Sequence, residues 1–284
     1  MKSYWYGRLI SVVCLMAALL FPATIFAQYK EIDQIGDELA KECMKARPET
    51  KILAVADLQH AEKIKTEQGH YFSLILTSAI NLHMKHKYAV AEHNGFDTAL
   101  KSRSISAQAL TTPQSITEIT GKINVAAIVI GDFRQDQSYY YLHLAAIRVS
   151  DGAVLYSGDS KIGRSEFLDS LADPFPPPDI KDSLQAITAK DLAAARGPIC
   201  ESCPVPKYTS IAKDVRLQGT VVFNAVISNT GEILALRPTR VLGLGLDEAA
   251  YQAMMKYWKM RPARDKDGRP IAVMVPIEFT FALH

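Results

Sequence analysis

Net charge is what this sequence has least of. Its 284 residues carry 32 Lys and Arg against 30 Asp and Glu, and two of the basic residues, Lys2 and Arg8, lie in the first eight positions, so that beyond them the count is 30 against 30. No positive balance is left to attract a polyanion, which argues against nucleic-acid binding. Only one uncharged run, Leu9–Ala27, approaches membrane-spanning length, so the chain is not a polytopic membrane protein. With 48% hydrophobic and 22% charged residues it is neither disordered nor collagenous. Serine, cysteine and carboxylate residues nowhere pair a nucleophile with its base, so no catalytic residue and no enzymatic activity is expected. The length suggests about two domains.

Lys2 and Arg8 precede the Leu9–Ala27 run, which ends in Ile25-Phe26-Ala27 before the polar Gln28-Tyr29-Lys30. That is the layout of a secretory signal over residues 1–27. The alternative is an uncleaved inner-membrane anchor, because 19 residues of helix reach roughly 28 Å. Pro22 favours cleavage, and in either case the rest of the chain is exported to the periplasm. Cys14 is poorly placed for lipid attachment. Export changes what the remaining cysteines mean, since in an oxidising compartment Cys200 and Cys203 are the natural pair and Cys43 is left over. Redox work or half of a zinc site are the rivals. The motif sits between Pro198 and Pro204 rather than at the start of a helix, and no second Cys-x-x-Cys accompanies it, which favours a structural disulfide.

Residues 31–165 read as an α/β layer domain. Ile32, Ile35, Leu39, Ala40 and Cys43 make a helical stripe, Lys51–Asp57 a short strand, Tyr71–Leu82 a buried helix and Tyr88–Ala91 a second strand. A short helix over Ser115–Ile123 follows, then strands over Val125–Phe133, Ser138–Val149 and Ala153–Lys161, the last two joined across Asp151-Gly152. Residues 166–205 form a proline-containing linker, with Asp173-Pro-Phe-Pro-Pro-Pro-Asp179 and a potential helix over Lys181–Ala195.

Residues 206–284 are the most legible part. Gly219–Ser228 alternates Val221, Phe223, Ala225 and Ile227 on one face, Asn229-Thr230-Gly231 turns, and Glu232–Val241 returns. Asp247 and Glu248 suit a helix N-terminus, Lys256 and Lys259 its C-terminus, and Ala250, Ala253, Met254, Tyr257 and Trp258 its apolar stripe; Arg261-Pro262 ends it. Ile271 to Phe281 then alternates along a third strand. Pro238 and Pro276 cannot donate to a ladder on both sides, so strands two and three lie at the edges and strand one at the centre. The fold expected is α+β here, a ββαβ unit with a three-stranded antiparallel sheet in the order 2-1-3 and one covering helix.

Pro206–Ala212, Gly219-Thr-Val-Val222, Asn229-Thr-Gly231, Leu246-Asp-Glu-Ala249 and Tyr257-Trp-Lys-Met-Arg-Pro262 resemble, over 206–283, the C-terminal domain of the TonB family of energy transducers. The resemblance implies a periplasmic domain that binds outer-membrane receptors and passes on energy from inner-membrane motor proteins. The chain departs from the family's layout, because its hydrophobic segment carries no histidine and a folded domain replaces the long proline-rich spacer. Residues 31–165, through Lys51–Asp57, Tyr88–Glu92, Ala126–Gly131 and Asp151–Leu155, are similar to the curli-export, flagellar outer-membrane and penicillin-binding-protein-activator group of envelope proteins. That likeness implies an assembly or partner-binding module.

Together these readings put partner binding on the third strand, Val273, Met274, Val275, Pro276, Ile277, Glu278 and Phe279, by addition of an extended receptor peptide. Cys200, Cys203, Trp258 and Pro262 are the structural residues. An envelope scaffold with the N-terminal domain dominant is the alternative, and a homo-oligomer is left open. No cofactor or metal is expected. His83-x-x-His86, with His70 and His93 not far off in sequence, reads as a solvated helix end rather than a metal site. Gly243-x-Gly245 reads as a flexible entry to the helix, and Tyr139–Tyr141 as packing residues of a strand.

Overall fold

The computed structural model describes residues 21–45, 52–62, 66–84, 88–106, 110, 112–119, 122–184 and 197–283. The signal or anchor reading therefore falls largely outside the described residues, as do His86 and most of the helix expected over 181–195. Among the described residues no helix is long and apolar enough to cross a membrane.

Helix α1 (Phe21–Lys45) begins well before the apolar stripe that announces it, and Tyr29, Ile32, Leu39 and Cys43 are buried along it. The N-terminal sheet uses β1 (Ile52–Val55), β2 (Gln59–His60), β3 (Ala89–Val90), β4 (Ala127–Gln135), β5 (Tyr139–Arg148) and β6 (Val154–Gly163), in the order β3-β1-β4-β5-β6 with β2 beside β4. β3, β1 and β4 run parallel, whereas β4, β5 and β6 form an antiparallel meander. Alternation puts Leu53 and Val55 on one face with α1 and α2 (Glu67–His83), and Ala54 and Ile128 on the other with α3 (His93–Lys101) and α4 (Pro113–Thr117). The result is a three-layer α/β arrangement.

The C-terminal sheet follows the order that the prolines require. β8 (Gly219–Ile227) lies between β9 (Ile233–Arg240) and β13 (Val273–Phe281), both antiparallel to it; the short α7 (Ser210–Asp214) precedes β8, and α8 (Leu246–Tyr257) accompanies the sheet. Two small ribbons flank this unit, β7 (Ile199–Ser202) with β10 (Lys259–Arg261), and β11 (Ala263–Arg264) with β12 (Pro270–Ile271). Gly231 closes the β8–β9 turn at φ +89°, where an added Cβ would lie 2.0 Å from the Met260 carbonyl oxygen. A side chain there would push β10 away from the β8–β9 turn.

The two sheets share a hydrophobic core that runs from α1 and α2 to Val221, Phe223 and Ala225. Residues 166–171, at the start of the predicted linker, take part in it. Ser165 caps α5 (Glu166–Ser170), and Phe167, wholly buried, meets Tyr71 of α2, Phe223 of β8 and Tyr251 of α8 at ring-centroid distances of 5.1, 6.1 and 5.0 Å. Arg237 of β9 is buried as well and donates to the carbonyl oxygens of Leu171 (2.9 Å) and Asp173 (2.7 Å). The segment continues through Phe175, whose ring lies under the Arg237 guanidinium, to α6 (Pro178–Lys181).

Candidate functional site

β13 pairs with β8 over nine residues, from Val273 opposite Ile227 to Phe281 opposite Gly219, and no strand lies on its other side among the described residues. Val273, Val275, Phe279 and Phe281 are buried and Ile277 is half-buried, while Met274, Pro276, Glu278 and Thr280 are exposed. Pro276 faces Asn224, and because proline has no N–H this pair cannot exchange both bonds of a hydrogen-bonded pair and suits the non-hydrogen-bonded position. Directly opposed pairs alternate along an antiparallel ladder. Val275 and Ile277 therefore bond to β8, whereas Met274 and Glu278 turn both N–H and C=O away from it, and Pro276 turns its C=O the same way. The strand offers an ordered row of backbone donors and acceptors, interrupted by one missing donor.

The buried face of the strand is braced by aromatic contacts. Phe279 lies 5.2 Å from Trp258, and Phe281 lies 5.4 Å from Tyr208. Trp258 Nε1 donates to the Pro204 carbonyl oxygen at 3.0 Å. The apolar stripe expected on α8 needs correction at its end: Ala250, Ala253 and Met254 are buried, but Tyr257 is 63% exposed and Trp258 is the extended residue that follows the helix. Tyr257 is the last helical residue, and the chain leaves helical geometry after it to form β10, so Trp258 no longer follows the 3.6-residue period. Cys200 and Cys203 are joined by a disulfide within the β7 segment, Cys203 Sγ lies 3.6 Å from Met260 Sδ, and Pro262 connects β10 to β11. Cys43 is a free, buried thiol.

Asp247 and Glu248, read as acids suited to a helix N-terminus, do lie in the first turn of α8, and both are buried. Asp247 accepts from the Leu242 and Gly243 N–H groups, each at 2.8 Å, and from the Tyr71 hydroxyl at 3.3 Å. Tyr29 donates to Glu248. Burial pushes the Asp247 carboxyl up to about 6 in spite of its three donors, and burial raises Glu248 as well. Gly243 and Gly245 precede these acids at φ +81° and +80°, in a left-handed turn rather than a flexible one. Tyr140 is buried in the N-terminal core, while Tyr139 and Tyr141 face outward beneath Lys161 and Arg134.

One cluster of metal-binding residue types stands out among the described residues: Asp57, His70 and His93. Asp57 follows β1, His70 lies in the first turn of α2 and His93 opens α3. A Cβ at Gly69 would sit 1.9 Å from the Leu58 carbonyl oxygen, so only glycine lets α2 lie this close to the loop after β1. That approach brings His70 Nδ1 within 2.9 Å of Asp57 Oδ1, and His93 Nε2 reaches the same oxygen at 2.8 Å. Burial alone would raise the Asp57 carboxyl, but the two imidazoles outweigh it and hold it well below the usual carboxylate range. His83, read as part of a solvated helix end, is the last residue of α2 and lies partly buried with Asp33 at 2.8 Å, whereas His93 is buried.

A family model described as the Gram-negative bacterial TonB protein C-terminal covers the whole β8–β9–α8–β13 unit and the segment before it. Residues 204–283 match the TonB C-terminal family. Nothing matches among curated proteins. Among solved structures the chain is similar to the LpoB C-terminal domain from Escherichia coli, at 13% identity and a TM-score of 0.36, covering 47% of this chain and 99% of that one. It also resembles E. coli LpoB studied by NMR (13%, TM-score 0.33, 40% of this chain) and lipoprotein GNA1162 from Neisseria meningitidis (13%, TM-score 0.30, 41% of this chain and 83% of that one). The chain spans 57% of the length of the LpoB chain studied by NMR. Superpositions this loose carry no functional assignment. The TonB-type domain rests on its own sequence match.

Proposed function

We propose that this chain is a non-enzymatic adaptor of the Gram-negative envelope whose TonB-type domain takes an extended segment of an outer-membrane protein along the free edge of β13, supporting transport across the outer membrane as an energy transducer does. The family match over residues 204–283 supports the class of partner. The observation that carries the reading is the edge itself, nine residues long and in continuous register with β8. Met274 and Glu278 supply donors, and Met274, Pro276 and Glu278 supply acceptors, to a strand laid beside them. The exposed Met274 and Glu278 side chains would then set specificity at alternate positions.

In-cell crosslinking from a photoreactive residue at 274 or 278 tests this reading. It is expected to trap an outer-membrane protein, with no adduct from the same probe at exposed Val215. Loss of signal at both strand positions would remove β13 as the docking edge. A second reading, an envelope scaffold led by residues 31–165, draws support from the shared core, which fixes the TonB-type domain against the α/β region instead of leaving it on a long tether. Adducts only from probes in residues 31–165 would favour it. N-terminal sequencing separates the two further, because an intact, membrane-held N-terminus favours transduction and a mature start near Gln28 argues against direct motor coupling.

A further inference from the structure

We propose that Asp57, His70 and His93 form a binding site for a divalent transition-metal cation, with zinc the best fit, that ties α2 and α3 to the end of β1. The His93 side chain is 1% exposed. Its Nδ1 lies 3.1 Å from the Val55 carbonyl oxygen, which can only accept, so Nδ1 carries a proton. Nε2 is then the nitrogen free to ligate, and it faces Asp57 Oδ1 at 2.8 Å. A cation seated beside the pair would take one ligand atom from each.

His70 strengthens the case by bringing a second imidazole nitrogen to the same oxygen, at 2.9 Å. Ligands set about 2.0–2.1 Å from a tetrahedral zinc lie about 3.3 Å apart, so each imidazole needs to draw back from Asp57 Oδ1 by only about half an ångström. The His93 Nδ1–H to Val55 bond is the outer-shell contact that metal-bound histidines require, since it fixes the tautomer and aims the other nitrogen at the ion. Ser73 Oγ, 3.2 Å from Asp57 Oδ1, braces the carboxylate. Two imidazoles and one carboxylate select zinc and its late first-row neighbours over magnesium or calcium, which prefer oxygen alone.

Position in the fold agrees. The cluster lies beyond the carboxyl end of β1, between parallel strands β3 and β4, where open α/β sheets place their ligands. Asp57 and His70 also line a cleft of about 830 Å³ that Glu67, Asp173 and Phe175 border. The cleft gives an ion a way in and leaves room for water at a fourth position.

The test uses the full chain, untagged and stripped with chelator, titrated with Zn²⁺ by calorimetry and melted with and without it. One equivalent is expected to bind and to raise the melting temperature. His70→Ala alters a partly exposed side chain, and should weaken binding by more than about tenfold and abolish the thermal shift; Ser73→Ala should weaken it roughly tenfold. His143→Ala, which removes an exposed histidine paired with Asp159, should change nothing. Absence of stoichiometric binding would overturn the proposal and leave His93 as a hydrogen-bond partner of Asp57. Unchanged affinity in both His70→Ala and Asp57→Asn would overturn it too, by placing the ion elsewhere. Should these variants misfold, Co²⁺ added to the unaltered chain decides: paramagnetic shifts centred on the His70 and His93 rings support the site, and shifts centred elsewhere refute it.

Discussion

Replacing Phe167 with Ala should loosen the whole molecule, although the residue lies in a stretch whose prolines mark it as a linker. Its ring is fully buried and touches Tyr71, Phe223 and Tyr251, one residue each from α2, β8 and α8. Truncating a core phenylalanine costs about 3–5 kcal/mol, because the lost transfer energy is compounded by a cavity that rigid neighbours fill poorly. Three ring contacts at 5.0–6.1 Å place this site toward the upper end. Taking about 4 kcal/mol, and about 2–4 °C per kcal/mol for a chain of this size, the melting temperature should fall by roughly 8–16 °C. Differential scanning calorimetry of the full chain measures this directly. If the TonB-type domain of Phe167→Ala melts at the parental temperature, then the core drawn across the two regions does not stabilise them jointly.

Three further expectations follow from named contacts. Asp247 is raised by burial to about 6 from an unfolded value near 3.8, and Tyr71, Glu248 and Tyr29 are the titratable groups that surround it. The folded state therefore holds the proton more tightly. This contribution, on the order of 3 kcal/mol, is fully present below about pH 4 and is lost as pH rises through about 6. Denaturant midpoints across that window should fall with pH, and Asp247→Asn should flatten the fall, leaving the smaller share of Glu248. Trp258→Ala should cost roughly 2–3 kcal/mol, less than a fully buried tryptophan, because it loses half-buried packing on Phe279 and one hydrogen bond to Pro204; equilibrium unfolding tests the value. Gly69→Ala should lift α2 off the loop after β1 and disturb the His70 and His93 ring resonances, which NMR would record.

The parts of the fold legible in the sequence are those written in local period. Alternation along Val221–Ile227 and Val273–Phe281 marks two strands, and Pro238 and Pro276 place their own strands, β9 and β13, at the sheet edges without any knowledge of the pairing. The residues that join the regions carry no such mark. Tyr29 meets Glu248 across 219 positions and Tyr71 meets Asp247 across 176, so acids that look suited to a helix terminus become buried anchors only once both partners are folded. His93 and Asp57 lie 36 positions apart, and the short α3 that carries His93 has too few apolar residues to announce itself by spacing. Gly69 was the available clue, since a glycine inside an otherwise apolar helix pattern marks a close backbone approach.

The central claim is the free edge of β13, and backbone parity tests it most directly. In the full chain, Met274→Pro and Glu278→Pro remove outward N–H groups, whereas Ile277→Pro removes one that bonds to β8. The measurement is titration of each variant with a peptide spanning the segment crosslinked to residue 274 or 278, alongside chemical denaturation. The account predicts weakened binding and near-parental stability for Met274→Pro and Glu278→Pro, and a stability loss of about 3 kcal/mol or more for Ile277→Pro. Equal stability losses in all three, or full peptide affinity in the two outward variants, would contradict it.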